Sequence, residues 1–198
     1  MIRTLALSLF TALILSGCNR NATVGSAAGP SPAKAAGPTH AVIETDRGTI
    51  EFELLADVAP RTAENFRLLA NRGYYNGLTF HRIVKGFMLQ GGDPKGDGSG
   101  GESAWGGRFE DEIDRTSPLY RGGYKRGQVA MANAGPNTNT SQFFIMHHDY
   151  PLPPYYTIFG QVTKGIEVVD AIAESPTVPG GEASKPVNPP VMRKVSVH

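Results

Sequence analysis

From Ala41 onward the apolar residues of this chain come only in short runs, and glycine or proline punctuates the spaces between them. AVIET, TIEFEL, LTFHRIV, GFMLQG, QVAMA, QFFIM, TIFGQV and VMRKVSV are each five to seven residues long. That is strand length, too short for a helix that must bury a face on its own. With 24 glycines and 15 prolines the chain is rich in turns. Only two segments carry helical spacing. In APRTAENFRLLANRG, Ala59, Ala63, Phe66 and Ala70 share one face, Pro60 suits the first turn and Gly73 the stop. IEVVDAIAE is the second. Strands outnumber helices, and the pattern predicts a closed antiparallel sheet or a sandwich capped by helices, without fixing the strand number.

The remaining 198-residue arithmetic is that of one domain with an N-terminal addition. Hydrophobic residues make up 40% and the net charge is +1, so a core is available and nothing points to nucleic acid. The addition is distinctive. MIR gives a positive start, TLALSLFTALIL is a short apolar run, and LSGC ends in Cys18, the sole cysteine. The order resembles a bacterial lipoprotein signal. It implies that residues 1–17 are removed, that Cys18 is lipidated and that the protein is extracytoplasmic and membrane-anchored. Residues 18–39, dominated by Ala, Gly, Pro and Ser, read as a flexible tether. The folded domain spans 40–198. With Cys18 consumed no disulfide is available, which suits an oxidising compartment.

Several motifs attract attention and lead nowhere. GDGSGG (96–101) fits GxGxxG and loosely a serine-protease signature, but no helix pattern follows and an extra glycine interrupts the second; a mobile loop is the better reading. His147-His148-Asp149 beside Ser141 suggests a metal or a triad. Adjacent histidines on a strand diverge, no third ligand cluster exists, and a solvated loop is expected instead. Glu110-Asp111-Glu112 reads as surface, since carboxylates crowded into one pocket repel. No metal and no cofactor is expected.

FHRIVKGFMLQGGD (80–93) poses the sharper question, because it sets an arginine inside a run fit for a sheet interior. Together with MANAGPNTNTSQFFI, YTIFGQV and PRTAENFRLLA it resembles the cyclophilin family of peptidyl-prolyl isomerases, from about Val42 to Val197. The resemblance implies a mainly β fold, a closed eight-stranded antiparallel β-barrel capped by two α-helices, working as a monomer on proline-containing polypeptides.

It also gives the arginine a task. An X-Pro bond exchanges over tens to hundreds of seconds because twisting it breaks amide resonance. Neither nucleophile nor proton transfer is required; a donor aimed at the prolyl nitrogen is. A permanently charged, stiff guanidinium suits that. By resemblance Arg82 is the donor and Gln142 the second catalytic residue. Phe87, Met88, Phe144 and Leu152 hold the proline ring, while Gln90, Ala132, Asn133 and Gln142 grip the peptide backbone and the Arg82 side chain. His81 and Tyr156 complete the substrate-binding set. One region departs from the family. Many members carry a tryptophan after the QFFI strand, where this chain reads HHDYPLPPYYTIFG, and Tyr156 stands where many have histidine. Both differences imply weak cyclosporin binding. The rival function is a proline-peptide holdase or scaffold with little turnover, which a turnover assay distinguishes.

Overall fold

The computed structural model describes residues 39–178 and 184–198. Cys18, the signal segment and nearly all of the tether lie outside the described residues. Eight strands form one antiparallel sheet: β1 (His40–Thr45), β2 (Gly48–Leu54), β3 (Arg82–Val84), β4 (Met88–Gly91), β5 (Gln128–Met131), β6 (Phe143–Met146), β7 (Ile158–Lys164) and β8 (Met192–Val197). Helices α1 (Pro60–Asn71) and α2 (Ile166–Ala173) stand where the helical spacing placed them. The strand order is β3-β4-β6-β5-β7-β2-β1-β8.

The period of two in strands sorts the sheet into two faces. Ile43, Phe52, Ile83, Leu89, Val129, Phe143, Ile145 and Phe159 join Phe66 and Leu69 of α1 and Val169 and Ile172 of α2 in the main core. Their neighbours in sequence, Met88, Ala130, Phe144, Met146 and Ile158, form a second cluster with Tyr120 and Tyr124. The apolar runs of β4, β5 and β6 are continuous because both faces are covered.

The sheet curls but its ladder does not close, which corrects the expectation of a closed barrel. β3 and β8 are the two ends of the strand order. The seam between them is met by the segment just before β3: Thr79 bridges Val191, Gly77 N donates to Met192 O at 2.7 Å, Met192 N to Leu78 O at 2.8 Å and Phe80 N to Pro190 O at 3.0 Å. The reason is local. LTFHRIV is extended over seven residues, but only Arg82–Val84 runs as a laddered strand, and its partner is β4.

Helix α1 starts at Pro60 without a cap from its own N-terminal neighbour. Its orphan N–H groups are met from a distance: Glu112 accepts from Arg61 N at 3.0 Å, Thr62 N at 2.8 Å and Thr62 Oγ1 at 2.8 Å. A carboxylate there also complements the helix dipole. Glu112 is therefore a structural anion rather than the surface residue expected of the Glu110–Glu112 run; Glu110 is exposed and pairs with Arg61. The helix stops at Asn71, two residues before Gly73, whose φ of +68° permits the reverse bonds Gly73 N to Ala70 O and Tyr74 N to Leu69 O.

Candidate active site

The outer face of β3, β4 and β6 builds the site. Register pairs Arg82 with Gln90, and Gln90 with Phe144; Met88 sits opposite Met146. Residues two apart on β4 and their cross-strand partners share a face, so Arg82, Met88, Gln90 and Phe144 come to one side of the sheet. This is how an arginine fits into an apolar run: Ile83 and Leu89 take the core while Arg82 points the other way.

Around that face lies a cleft of about 240 Å³ lined by nine residues: Arg82, Phe87, Met88, Gln90, Ala132, Asn133, Phe144, Leu152 and Tyr156. Met88 and Phe144 are buried and form the floor. Phe87 comes from the turn between β3 and β4, and its ring packs on Tyr150 with centroids 4.4 Å apart. Thus Tyr150 supports the rim from behind, and Leu152 faces the cleft. Tyr156 forms the opposite wall at the edge of Phe144, 5.5 Å between centroids. Its backbone is held twice by one buried phenol: Tyr124 Oη donates to Tyr156 O at 2.7 Å and accepts from Tyr156 N at 3.0 Å. Burial pushes the Tyr124 phenol pKa up, so it stays protonated and able to donate.

A directional relay crosses the cleft. Arg82 Nη1 donates to Gln90 Oε1 at 3.3 Å, and Gln90 Nε2 donates to Gln142 Oε1 at 2.9 Å. Gln142 Nε2 donates in turn to the carbonyls of Gly98 at 3.0 Å and Gly100 at 2.8 Å. Each amide is thereby fixed in one orientation, with its oxygen toward the arginine. Gln142 lies beyond Gln90, in an adjoining cleft of about 260 Å³ that includes Gly98, Gly101, Arg108 and Thr138. The glycine-rich loop, read from sequence only as mobile, is the far anchor of this relay. Asp93 shapes it, accepting from Lys95 N, Asp97 N and Gly98 N. No sequence signal pointed to that role.

Asn133 is held at the rim. Its Nδ2 donates to Tyr155 O at 2.8 Å and its Oδ1 accepts from Gly135 N at 3.3 Å. Its own main-chain N–H and C=O are left without a main-chain partner among the described residues. His81 is the one expected site residue that falls outside both clefts. It is 6% exposed, and neither ring nitrogen has a hydrogen-bond partner among the described residues. His81 precedes β3, and its Nε2 lies against the glycine loop, 3.9 Å from where a Cβ on Gly98 would stand. Burial lowers the His81 pKa, with the Asp93 charge opposing, so the ring is neutral at pH 7.

The histidine pair divides. His148 and Asp149 are exposed as expected, but His147 is 4% exposed. Its Nδ1 accepts from Gly86 N at 3.0 Å and its Nε2 meets Asp170 Oδ1 at 3.3 Å. Arg126 holds Asp170 with two bonds, at 2.7 and 2.8 Å. No group of three metal-ligating side chains occurs among the described residues. His147 instead ties the turn that carries Phe87 to α2. Burial first, then the neighbouring His148, lowers its pKa. A histidine whose folded pKa is depressed contributes stability that is full above the unfolded value, about 6.5, and is lost as pH falls through the folded pKa. Chemical-denaturation midpoints should therefore be level near pH 7–8 and begin to fall below about pH 6.5. His147→Gln should make that first decline shallower, leaving the share that buried His81 contributes in the same window. A midpoint unchanged from pH 7 to pH 5 would refute this account.

Residues 40–197 match the family model described as cyclophilin type peptidyl-prolyl cis-trans isomerase/CLD. The chain belongs to the cyclophilin-type peptidyl-prolyl cis-trans isomerases. Among relatives of this cyclophilin, peptidyl-prolyl cis-trans isomerase CYP18-1 of Arabidopsis thaliana is 47% identical over 157 residues, 79% of this chain and 94% of that protein. Peptidyl-prolyl cis-trans isomerase-like 3 of Homo sapiens is 43% identical over the same length and coverage. A crystal structure of a Cryptosporidium parvum cyclophilin type isomerase, in the presence of the dipeptide Ala-Pro, superposes with a TM-score of 0.73 at 37% identity, covering 80% of this chain and 98% of that one. The activity of this cyclophilin is cis-trans isomerisation of prolyl peptide bonds.

Proposed function

We propose that this cyclophilin turns over X-Pro bonds in the Arg82 cleft and does so at a membrane surface, on secreted or envelope polypeptides. The relay from Arg82 through Gln90 and Gln142 to the glycine loop carries the reading of the site. The proline ring rests on Met88 and Phe144, bounded by Phe87, Leu152 and Tyr156. The peptide backbone runs past Gln90, Ala132 and the main chain of Asn133. As the amide twists, the prolyl nitrogen regains its lone pair, and an Arg82 N–H donates to it. Gln90, held by Gln142, keeps the guanidinium in the required plane.

A charge-assisted hydrogen bond contributes about 1.5–3 kcal/mol, which is roughly one to two decades in rate. Further acceleration comes from holding the twisted peptide in a preorganised, partly dry cleft. A protease-coupled prolyl-peptide assay on residues 40–198 tests this. Catalysed exchange supports the enzyme, and tight peptide binding without turnover supports a holdase.

The membrane half of the proposal rests on LSGC after the apolar run. Residues 1–17 are removed, Cys18 carries lipid, residues 18–39 form the tether and the domain acts as a monomer. Intact-mass measurement on the membrane fraction should give a chain beginning at a lipid-modified Cys18. A mature N-terminus elsewhere, or an unmodified Cys18, removes the anchor from the account.

A further inference from the structure

A third cleft opens on the other side of Asn133. It has a volume of about 590 Å³ and shares both Asn133 and Tyr156 with the proline cleft, so the two adjoin at those residues. Its walls include Asp111, Arg115, Pro136 and Tyr155.

The charges in it are unequal in their commitments. Asp111 is occupied: Oδ2 accepts from Asn137 N at 2.9 Å and Oδ1 from Asn139 Nδ2 at 2.8 Å. Arg115 is not. Its guanidinium lies over the Tyr155 ring, 5.5 Å from the centroid, and it makes no ion pair or hydrogen bond among the described residues. Tyr155 is 53% exposed, and its carbonyl is the acceptor that fixes Asn133. A guanidinium stacked on an aromatic ring keeps its edge N–H groups open to an acceptor in the ring plane direction. A planar carboxylate is the matching ligand.

We infer that this cleft is a subsite for a carboxylate side chain on the client polypeptide, within about three residues of the proline, with Arg115 as its recognition residue. The inference rests on the proline cleft being the place where clients bind. Adjacency at Asn133 and Tyr156 sets the reach, since an extended chain advances about 3.3–3.6 Å per residue. The unpaired cation sets the chemistry. The contact is remote from the twisting bond and equally available in ground and transition states. It therefore acts on KM and leaves kcat alone.

The test uses residues 40–198 and a set of peptides with one proline and a single Glu, Gln or Lys placed two or three residues to either side. Dissociation constants come from fluorescence anisotropy and kcat and KM from the coupled assay, each normalised to the Gln peptide. At one position the Glu peptide should bind about two- to tenfold more tightly than the Lys peptide, the range of an exposed ion pair gained and a repulsion avoided. The preference should shrink at high salt. Arg115→Glu should invert it, while Arg108→Glu, in the adjoining cleft, should leave the ratio in place. Thermal unfolding confirms that each variant is folded. No Glu preference at any position, or a preference that Arg108→Glu removes and Arg115→Glu does not, overturns the assignment. Absence of turnover with every peptide strikes the isomerase reading instead, and the binding ratios still decide the subsite.

Discussion

Arg82→Ala slows prolyl isomerisation by at least tenfold, to about a hundredfold, while the domain remains folded. The range follows from losing one charge-assisted hydrogen bond to the prolyl nitrogen, about 1.5–3 kcal/mol. The side chain is half-buried on the outer face, with Ile83 and Leu89 making the core contacts on either side of the hairpin, so its removal leaves no cavity in the main core. Arg82→Lys is impaired as well. An ammonium is a point donor without the planar fork, and from the same backbone position it does not reach both Gln90 Oε1 and a substrate nitrogen in fixed geometry. The loss should appear in kcat more than in peptide affinity, because the bond strengthens only as the amide twists. Full activity in Arg82→Ala, measured in the coupled assay, would remove the arginine from the mechanism.

Phe66→Ala is the most damaging single substitution for stability. Its ring is fully buried and central: Tyr75 is 4.9 Å away between centroids, Phe52 5.3 Å, Phe143 5.5 Å and Phe159 5.6 Å. It joins α1 to β2, β6 and β7. Four rings that touch one another through it cannot collapse together into the space it leaves. The expected loss is about 3–5 kcal/mol, the usual range for a buried phenylalanine. Alanine's better helix propensity returns only about 0.5 kcal/mol. For a domain of this size the Tm should drop by roughly 10 °C. Urea denaturation of the variant gives the difference directly. A loss below about 1 kcal/mol would show that the aromatic cluster repacks.

Local patterns in the sequence carried the elements. Pro60 and Gly73 bounded α1, and the short apolar runs became strands, because both signals act through nearest neighbours. Register was less legible. Arg82 beside Gln90 and Phe144 depends on a hairpin whose turn at Lys85–Phe87 fixes which residues oppose, and the resemblance supplied that grouping before geometry did. It also brought in His81, which is buried and is not among the residues lining either cleft. Contacts spanning long sequence distances stayed hidden. Glu112 capping α1 and the Gly98 and Gly100 carbonyls holding Gln142 have no local signature, since a carboxylate or a glycine reads the same whether it is solvated or recruited. His147 was misplaced for the same reason: its burial comes from Asp170 and Arg126, elements remote in sequence. The unclosed seam likewise turns on where β3 leaves its ladder, which no propensity records.

The strand order has a consequence for how the chain is made. β1 pairs with β2 on one side and with β8 on the other, Ala41 opposite Val197. The first strand synthesised thus waits for the last. Until Met192–Val197 emerge, a growing chain can form the β1–β2 hairpin and dock it on β7, but one edge of β1 stays open, with Ala41 and Ile43 beside it and free N–H and C=O groups along it. Contacts of this separation are slow to form and leave the nascent molecule adhesive for longest. The domain has no complete N-terminal half that folds ahead of the rest; its first and last strands finish one another.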